Sequence, residues 1–366
     1  MHLNSISVSN YKNIKQAELV LSPKINCFLG NNGEGKTNFL DAVYYLSFCK
    51  NYINSVDTLN INHEEDFFVL NGEYERNGNK EVIYCGLQRK TQKLFKRNKK
   101  KYSRLSEHIG LLPLVMLSPI DSKLILDGSD ERRKYIDSVI SLFDKQYLND
   151  IISYNKVLNQ RNTYLKQSNS SFFDNDLLSV WDEQLNSLAN IIYEKRDAYI
   201  NELIPVFQKY YSFISGNKEK VNLTYKTDIT DGELIEQLKN TRTKDLAIGY
   251  TTKGIHKDDL LFLLDEYPIK RLGSQGQQKT YLTALKFAQY EFISIRSNLT
   301  PILLLDDVFD KLDSNRVEKI VELVSGNDFG QIFMTDTNRD HLYDLLEKIG
   351  KDHKVFFVEN GEIEQR

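Results

Sequence analysis

One stretch of the sequence combines glycines, a lysine and a threonine at the spacing of a phosphate-binding loop. It fits the pattern GxxxxGK[ST] between an apolar strand and a helix, the context that this pattern requires. Glycines let the backbone wrap closely around phosphates, Lys36 would reach the β- and γ-phosphates, and Thr37 would ligate Mg²⁺. The loop residues are Gly30, Asn31, Asn32, Gly33, Glu34, Gly35, Lys36 and Thr37. We therefore predict a nucleotide site, in preference to a turn with an exposed lysine.

Two carboxylates follow directly on an apolar run. The run from Ile302 to Leu305 is typical of a buried parallel strand, and Asp306 and Asp307 come next. Ligands bind at this edge of open α/β sheets. We predict that Asp306 shares the Mg²⁺ with Thr37 and that Asp307 positions or deprotonates the attacking water. Without the phosphate loop, the same run would indicate only a strand that leads into a loop.

A third segment lies about 30 residues before the two carboxylates and opens a predicted helix. It consists of Ser274, Gln275, Gly276 and Gln277, which we call the signature segment. Backbone amides and the helix dipole at such a start favour an anion such as a γ-phosphate. Read alone, the segment is a capped helix start; its place before the acidic strand favours phosphate binding.

Hydrophobic periodicity predicts the elements that must position these residues. The first 48 residues are typical of three strands, a loop and a helix from Thr37, and residues 64–101 predict an antiparallel meander. From about Ser118 the pattern changes to helices, with a Ser/Asn-rich turn at 167–175. Further strands are predicted at 221–227, 245–250, 260–264, 302–305 and 331–334, and further helices at 276–296 and 314–325.

Composition excludes several classes of protein. The 366-residue chain has no apolar run of the roughly 18 residues that cross a bilayer and no secretory start, which predicts a cytoplasmic location without membrane contact. Its three cysteines, Cys27, Cys49 and Cys85, are widely spaced among apolar residues, so we expect reduced core thiols. The net charge of −3 means that any nucleic-acid contact must be a local basic face.

The strings GNNGEGKTN, LGSQGQQKT and LLLDDVFDKLD together resemble the heads of ABC/SMC-type ATPases, and specifically the RecF family. Residues 111–137, VLNQRN at 157–162 and GIHKDDL at 254–260 extend the resemblance over nearly the whole chain. About 236 residues separate Lys36 from Gly273, which suits the short helical lobe of RecF and not the long coiled coil of an SMC protein.

The resemblance implies an α/β fold: an ABC/SMC-type P-loop ATPase head with an antiparallel β layer and an inserted helical lobe. We assign residues 1–118 and 215–366 to the head and residues 119–214 to the helical arm lobe. It also implies a homodimer that buries two ATP molecules, with the signature segment of one copy closing on the γ-phosphate held by Lys36 of the other. Asp313 matches the aspartate of the family's D-loop, which communicates across that interface.

The chain departs from the wider ABC pattern at several positions. Asp307 stands where ABC heads usually have a glutamate, which predicts slow hydrolysis. There is no clear Q-loop glutamine, and the stretch FMTDTNRD carries no switch histidine. Lys257 replaces the usual arginine of GPHRDDL and keeps the charge without its bidentate fork.

A basic stretch with interleaved aromatic residues is the candidate DNA contact. It has no acid between residues 88 and 104, and we prefer backbone contact with DNA to a merely solvated hairpin. The residues that we assign to this contact are Arg89, Lys90, Lys93, Lys96, Arg97, Lys99, Lys100 and Lys101. Arg132, Arg133 and Lys134 are a second candidate.

By resemblance, we expect a weak, DNA-stimulated ATPase without nuclease activity that uses ATP and Mg²⁺. It would clamp gapped or single-strand/duplex junction DNA without sequence preference, act with RecO and RecR to load RecA, and support the SOS response. The alternatives are the ATPase head of an OLD-type nuclease, a transporter ATPase subunit and a scaffold with a structural ATP site. An OLD-type protein needs a further acidic domain, and the transporter signature reads SGGQ instead of SQGQ.

Overall fold

The computed structural model describes residues 1–53, 56–167, 175–309, 312–337, 343–344, 346–347, 349–350 and 352–365. The strands are β1 (His2–Tyr11), β2 (Ile14–Val20), β3 (Ile25–Leu29), β4 (Phe67–Arg76), β5 (Asn79–Gln88), β6 (Leu94–Arg97), β7 (Lys100–Lys101), β8 (Leu114–Leu117), β9 (Val221–Lys226), β10 (Asp259–Leu264), β11 (Tyr267–Pro268), β12 (Ile302–Leu305), β13 (Ile332–Asp336), β14 (His353–Glu359) and β15 (Glu362–Gln365). The helices are α1 (Lys36–Phe48), α2 (Ser122–Leu126), α3 (Ser129–Phe143), α4 (Lys145–Gln167), α5 (Asn175–Ser215), α6 (Leu234–Ile248), α7 (Ile269–Leu272), α8 (Gln275–Ser297) and α9 (Ser314–Ser325).

The chain divides into two compact units. The first contains Met1–Ser122, Tyr210–Asn217 and Gln275–Arg366, and the second contains Lys123–Lys209 and Lys218–Ser274. The predicted domain boundaries stay a prediction; in the structure, residues 218–274 group with the helices of the second unit. The physical reason is that β9 and β10 pair with each other and that α3 packs on β10.

The first unit holds an antiparallel sheet in the order β2-β1-β4-β5-β6-β7, which confirms the predicted meander. Arg97 pairs with Lys100, so β6 and β7 are joined by a two-residue turn. Asn98 and Lys99 in that turn both have positive φ, 49° and 69°, as the tightest hairpin turns require. We call residues 94–101 the basic hairpin.

The second sheet of this unit carries the chemistry. Its order is β15-β14-β3-β13-β12-β8, and all its neighbours are parallel except β14 and β15. The carboxyl ends of β3, β12, β13 and β8 therefore meet at one edge. The predicted strands before the phosphate loop and before the two carboxylates are confirmed as β3 and β12.

Helix α1 contacts strands of both sheets in the first unit. Its Phe39 ring packs 4.4 Å from that of Phe28 on β3, which stacks on Phe356 of β14 at 5.0 Å. The buried Gln331 side chain ties the sheets together, because it accepts from Leu3 N at 2.7 Å and donates to Leu3 O at 2.8 Å. This apolar centre fixes the strand ends and the start of α1 relative to each other.

The second unit combines helices with a small antiparallel sheet in the order β11-β10-β9. The predicted strands at 221–227 and 260–264 are confirmed as β9 and β10, but the strand predicted at 245–250 is wrong. Those residues lie at the end of α6, where Gly249 with φ of 75° accepts the left-handed geometry that stops the helix. The predicted turn at 167–175 lies almost wholly outside the described residues.

The three cysteines are free and buried, which confirms their assignment to the core. Burial raises the pKa of Cys49 to about 12, so this thiol stays protonated at neutral pH. Among the helices of the described ranges, none has the length and apolar character needed to cross a membrane.

Candidate nucleotide site

The phosphate loop owes its shape to three glycines. Gly33 and Gly35 have φ of 89° and 120°, which side-chain-bearing residues rarely adopt. At Gly30, a Cβ would lie only 2.2 Å from the carbonyl oxygen of Val358 on β14. The loop therefore requires glycine both for its conformation and for close packing.

Two hairpin turns brace the phosphate loop. The carbonyl of Glu34 accepts from the side-chain amide of Asn13 at 3.0 Å, between β1 and β2, and from the N–H of Gly361 at 2.9 Å, between β14 and β15. Asn360 N–H also donates to the Glu34 carboxylate. We did not predict these contacts, although Asn360-Gly361 is a hairpin signal in the sequence.

Lys36 is buried without an anionic partner in the described part of the chain. Its side chain folds back so that Nζ donates to the carbonyls of Gly30 at 2.7 Å and Asn31 at 2.9 Å, and only 4% of the residue is exposed. A buried ammonium is costly unless it is paired. A phosphate at this loop would supply the missing negative charge.

Asp306 is the reverse case: among the described residues, the buried carboxylate is held only by hydroxyl groups. Thr37 Oγ1 lies 2.9 Å from Oδ1 and 3.0 Å from Oδ2, so the structure brings together the two predicted metal ligands. Thr335 donates to Oδ1 at 3.0 Å and Ser118 to Oδ2 at 3.0 Å. Within the described ranges, no lysine or arginine forms an ion pair with Asp306.

These surroundings shift the protonation of Asp306. Burial raises the pKa of its carboxyl and the nearby Asp307 adds to the rise, while hydrogen bonds from Thr37, Thr335 and Ser118 oppose it. A bound cation would remove the conflict by stabilising the ionised form. A hydroxyl and one carboxylate suit Mg²⁺, which takes its remaining ligands from phosphates and water. The donor set therefore fits the predicted ion.

Asp307 is held beside Asp306 by its backbone. Its φ of 47° is in the left-handed region, which aspartate tolerates better than most residues. The N–H donates to Thr335 Oγ1 at 2.9 Å, and Lys279 Nζ donates to the Asp307 carbonyl at 3.0 Å. These contacts fix the backbone from two sides and set the direction of the carboxylate.

The structure divides the signature segment between the two units. Ser274 ends the second unit, whereas Gln275, Gly276 and Gln277 open α8 in the first. A Cβ on Gly276 would lie 2.9 Å from Nη1 of Arg316. Asp313 caps α9 by accepting from the N–H of Arg316 at 3.0 Å, and its side chain is 59% exposed.

The basic stretch is only partly available to a ligand. Lys93 is 13% exposed and donates to Asp57 at 2.7 Å, to Tyr45 and to the carbonyl of Cys49. Arg97 pairs with Glu81. Arg89 donates to the carbonyls of Glu65 and Asn62. The exposed lysines of the stretch are Lys90, Lys99, Lys100 and Lys101, and Lys96 is half-buried.

The second basic candidate is engaged inside its own unit. Arg132 forms a bidentate pair with Asp259 at 2.7 and 3.1 Å. Arg133 donates to the carbonyl of Asp258 at 2.6 Å, and Lys134 pairs with Asp130 at 2.6 Å. These contacts engage Arg132 and Arg133 as internal braces, whereas the Lys134 side chain is 64% exposed and pairs only along its own helix; we do not propose this group as a DNA contact.

Known proteins resemble this chain over its full length. The family model described as RecF/RecN/SMC N terminal domain matches residues 2–364. The DNA replication and repair protein RecF of Phocaeicola vulgatus is 56% identical over 368 residues, covering 100% of this chain and 99% of the relative. That of Parabacteroides distasonis is 52% identical over 364 residues, with the same coverages.

Solved structures show the same resemblance to this chain. A recombination mediator protein RecF with ATP, of the RecFOR pathway, superposes with a TM-score of 0.90 at 29% identity and covers 100% of this chain and 97% of that chain. The Smc head domain of Pyrococcus furiosus, at 14% identity and a TM-score of 0.57 over 100% of this chain and 96% of that one, shares the fold.

The fold and the site together define an ATPase head of the ABC/SMC class, with its phosphate loop, acidic strand and antiparallel β layer. Within that class, the chain belongs to the RecF family.

Proposed function

We propose that the chain is an ATP-dependent DNA-binding protein of recombinational repair and replication. The observation that carries the proposal is the contact of Thr37 with Asp306 at 2.9 Å, which joins the phosphate loop to the acidic strand. Two elements 269 positions apart in sequence thereby form one site for a nucleotide and its metal. The names of the relatives, DNA replication and repair protein RecF, support the biological context.

In the proposed ATPase cycle, the phosphate loop binds ATP through its amides and through Lys36. Thr37 and Asp306 hold Mg²⁺, which neutralises charge on the β- and γ-phosphates. Asp307 orients the attacking water, and Thr335 and Lys279 keep its backbone in place. The short carboxylate of Asp307 makes the reaction slow, and DNA stimulates it.

The proposed active form is a homodimer with ATP between its two heads. The signature segment of one copy, Ser274 to Gln277, closes on the γ-phosphate held by Lys36 of the other, and the exposed Asp313 communicates across the interface. Since the γ-phosphate is part of that contact, ATP closes the clamp and hydrolysis opens it.

The proposed DNA surface is the basic hairpin with the nearby Lys90. Lys96 lies directly opposite Lys101, and Arg97 lies opposite Lys100, so two like-charged pairs face each other across the strands. Like charges directly opposite each other destabilise a sheet. Glu81 already offsets Arg97, so the Lys96–Lys101 pair is the one that a DNA phosphate would relieve. Lys93 is excluded because of its internal contacts, and Arg89 and Arg97 contribute at most partly.

We infer from the resemblance that the DNA is gapped or a single-strand/duplex junction. There the chain would act with RecO and RecR to load RecA and so support the SOS response. The pathway name attached to the solved RecF structures, RecFOR, is the support for these two partners.

Sedimentation velocity with and without ATP and gapped DNA tests the proposal. The wild-type chain is expected to dimerise with ATP, and Lys36→Ala is expected to stay monomeric. An ATP-dependent dimer that survives Lys36→Ala contradicts the mechanism. ATP turnover is measured on the same samples: stimulation by gapped DNA supports the clamp, whereas binding without turnover favours a scaffold with a structural ATP site.

A further inference from the structure

A second loop, distant in sequence from the phosphate loop, reaches the carboxylate of Asp306. Strands β8 and β12 are parallel neighbours, so Ser118 follows β8 beside the end of β12. Its hydroxyl donates to Asp306 Oδ2 at 3.0 Å, and Leu117 O accepts from Asp306 N at 2.8 Å. Ser118 and Thr335 each donate to one oxygen of the Asp306 carboxylate, and the Thr37 hydroxyl lies within 3.0 Å of both oxygens.

The Ser118 loop is tied in turn to helix α8. Asp121 accepts from the N–H of Ser118 at 2.8 Å and pairs with Lys286 of α8 at 2.8 Å. The side chains of Lys286 and Asp121 are only 6% and 4% exposed. A buried ion pair is seldom better than apolar packing for stability alone, so this one calls for another explanation.

Tyr52 anchors the same pair to α1, the helix that begins at the phosphate loop. Its hydroxyl bonds to Asp121 and accepts from Lys286 at 2.9 Å. Its N–H donates to Asp41 of α1 at 2.6 Å. The polar chain thus connects three parts: the metal-binding carboxylate, the helix after the phosphate loop, and the helix that opens with Gln275 of the signature segment.

We propose that Ser118, Asp121 and Lys286 form a positioning relay that orients Asp306 for Mg²⁺ and couples its occupancy to helix α8. The relay rests on the proposed metal site at Thr37 and Asp306. A carboxylate that shares its charge with a cation accepts a weaker hydrogen bond from Ser118. The loop therefore responds to the cation, and Lys286 passes that change to α8 within the same unit.

The relay predicts a loss that depends on the metal. A fluorescent ATP analogue is titrated into each full-length variant with Mg²⁺ and with EDTA, and the ratio of the two affinities is the Mg²⁺-supported gain. Ser118→Ala removes only the hydroxyl and is expected to reduce this gain by about tenfold, the usual scale for a group that orients a metal ligand. Affinity in EDTA stays at the wild-type value.

A second variant tests the distant end of the relay without leaving a buried charge unpaired. Asp121→Asn combined with Lys286→Gln removes both charges together and keeps polar side chains of similar size. In this double variant, the Mg²⁺-supported gain is expected to fall about threefold below that of the wild type. Adding Ser118→Ala to the double variant should lower the gain no further than Ser118→Ala does alone, because the effects of residues in one network are not additive. Ser47→Ala is the control: it removes a buried hydroxyl of α1 for which the described structure shows no hydrogen-bond partner.

The outcomes separate the relay from the site on which it rests. A wild-type chain with no Mg²⁺-supported gain contradicts the metal site and the relay with it. A wild-type gain that the Asp121/Lys286 variant fully retains contradicts the relay alone. Losses that multiply when the variants are combined, or that are equal in Mg²⁺ and EDTA, also overturn it, because they indicate independent or merely structural effects.

Discussion

Buried charges in this protein are of two kinds: some are paired with each other, as Arg161 is in the second unit and Lys286 with Asp121 is in the first, and others have no such partner among the described residues. In the second unit, Arg161 is 0% exposed and is paired with Asp182 and Asp245, each at 2.8 Å. In the first unit, Lys36 and Asp306 are similarly buried, yet the described residues give neither of them an oppositely charged partner. Paired charges complete a fold by themselves, whereas unpaired ones are stabilised when a ligand supplies the counter-charge.

Arg196 of the second unit is likewise buried and paired with aspartates. It contacts Asp137 at 2.8 Å and Asp258 at 3.2 Å and donates to the carbonyl of Ile255 at 3.1 Å. Arg161 also donates to Thr251 Oγ1 at 2.8 Å. Arg161 and Arg196 thus hold the segment from Thr251 to Asp258 against the helices. The strings VLNQRN and GIHKDDL, which supported the resemblance to RecF, act here as parts of this brace. A matching string therefore marks a structural role as readily as a binding role.

The largest expected effect is on the paired network. Arg161→Met leaves Asp245 buried without its arginine, and breaking such a pair costs about 3–5 kcal/mol. The free energy of unfolding from urea titration measures the loss. Lys36→Met is the matched control, because it removes a buried charge that has no ionic partner among the described residues and is expected to leave stability at or above the wild-type value. Equal losses in the two variants would refute the distinction.

The next effect concerns turnover at the unpaired site. Asp307→Asn keeps the side-chain shape and tolerates the left-handed φ, but it cannot accept a proton from water. We expect ATP hydrolysis to fall on the order of 100-fold. Nucleotide affinity, measured with the same fluorescent analogue, should stay within error of the wild type. Hydrolysis at the wild-type rate would assign the role of base to another residue.

The second unit should also respond to pH through His256. Its ring bonds to Tyr154 at 2.8 Å and to the carbonyl of Thr251 at 3.0 Å. Burial, together with the nearby Lys257, Arg133 and Arg161, lowers the pKa of His256 to about 4 against the opposing bond to Thr251. The unfolded chain therefore takes up the proton first, and stability falls as pH drops from about 6.5 towards 4.

Unfolding at pH 7.5 and pH 5 measures this effect. The loss attributable to His256 should be about 2 kcal/mol at pH 5. His256→Gln keeps polar contacts without titrating, so the difference between the two proteins isolates the histidine from Asp258, whose pKa burial raises. Parallel pH curves for the two proteins would contradict a neutral buried His256.

The smallest expected effect lies at the surface. Lys100→Gln with Lys101→Gln removes two exposed charges from the basic hairpin and should weaken binding of gapped DNA by about tenfold at low salt. The slope of log affinity against log salt should fall by about 0.9 for each phosphate that the variant no longer neutralises. Lys93→Gln is the control: its internal hydrogen bonds predict lower stability with little change in the salt slope. Unchanged DNA binding in the double variant would remove the hairpin from the proposal.

Much of the nucleotide site could be predicted because its signals are local. The glycine spacing and the apolar run before Asp306 each lie within about ten residues, and the helix after Gly276 shows a sustained helical period. The strand predicted at 245–250 failed because a short apolar run does not distinguish a strand from a helix end. Leu234 and Leu238, four apart, followed by Gly249 as a stop, are the helical signals that decide it.

Tertiary partners could not be predicted from the sequence. Lys93 and Lys100 look alike in a basic run, and only the fold shows that one meets Asp57 while the other faces solvent. Ser118 belonged to a family-like string, but its link to Asp306 depends on the pairing of β8 with β12. The position of residues 218–274 likewise depends on which strands pair.

The most direct measurement of the central claim is the free energy of unfolding of the wild-type chain and of Lys36→Met, each determined by urea titration with and without Mg²⁺ and ATP. At a ligand concentration about 100 times its dissociation constant, the wild type should gain about 2.7 kcal/mol. Lys36→Met should match or exceed the wild type without ligand and gain nothing with it. A variant that ATP stabilises as strongly as the wild type, or that is already destabilised without ligand, would contradict the assignment of this buried, unpaired charge to ATP.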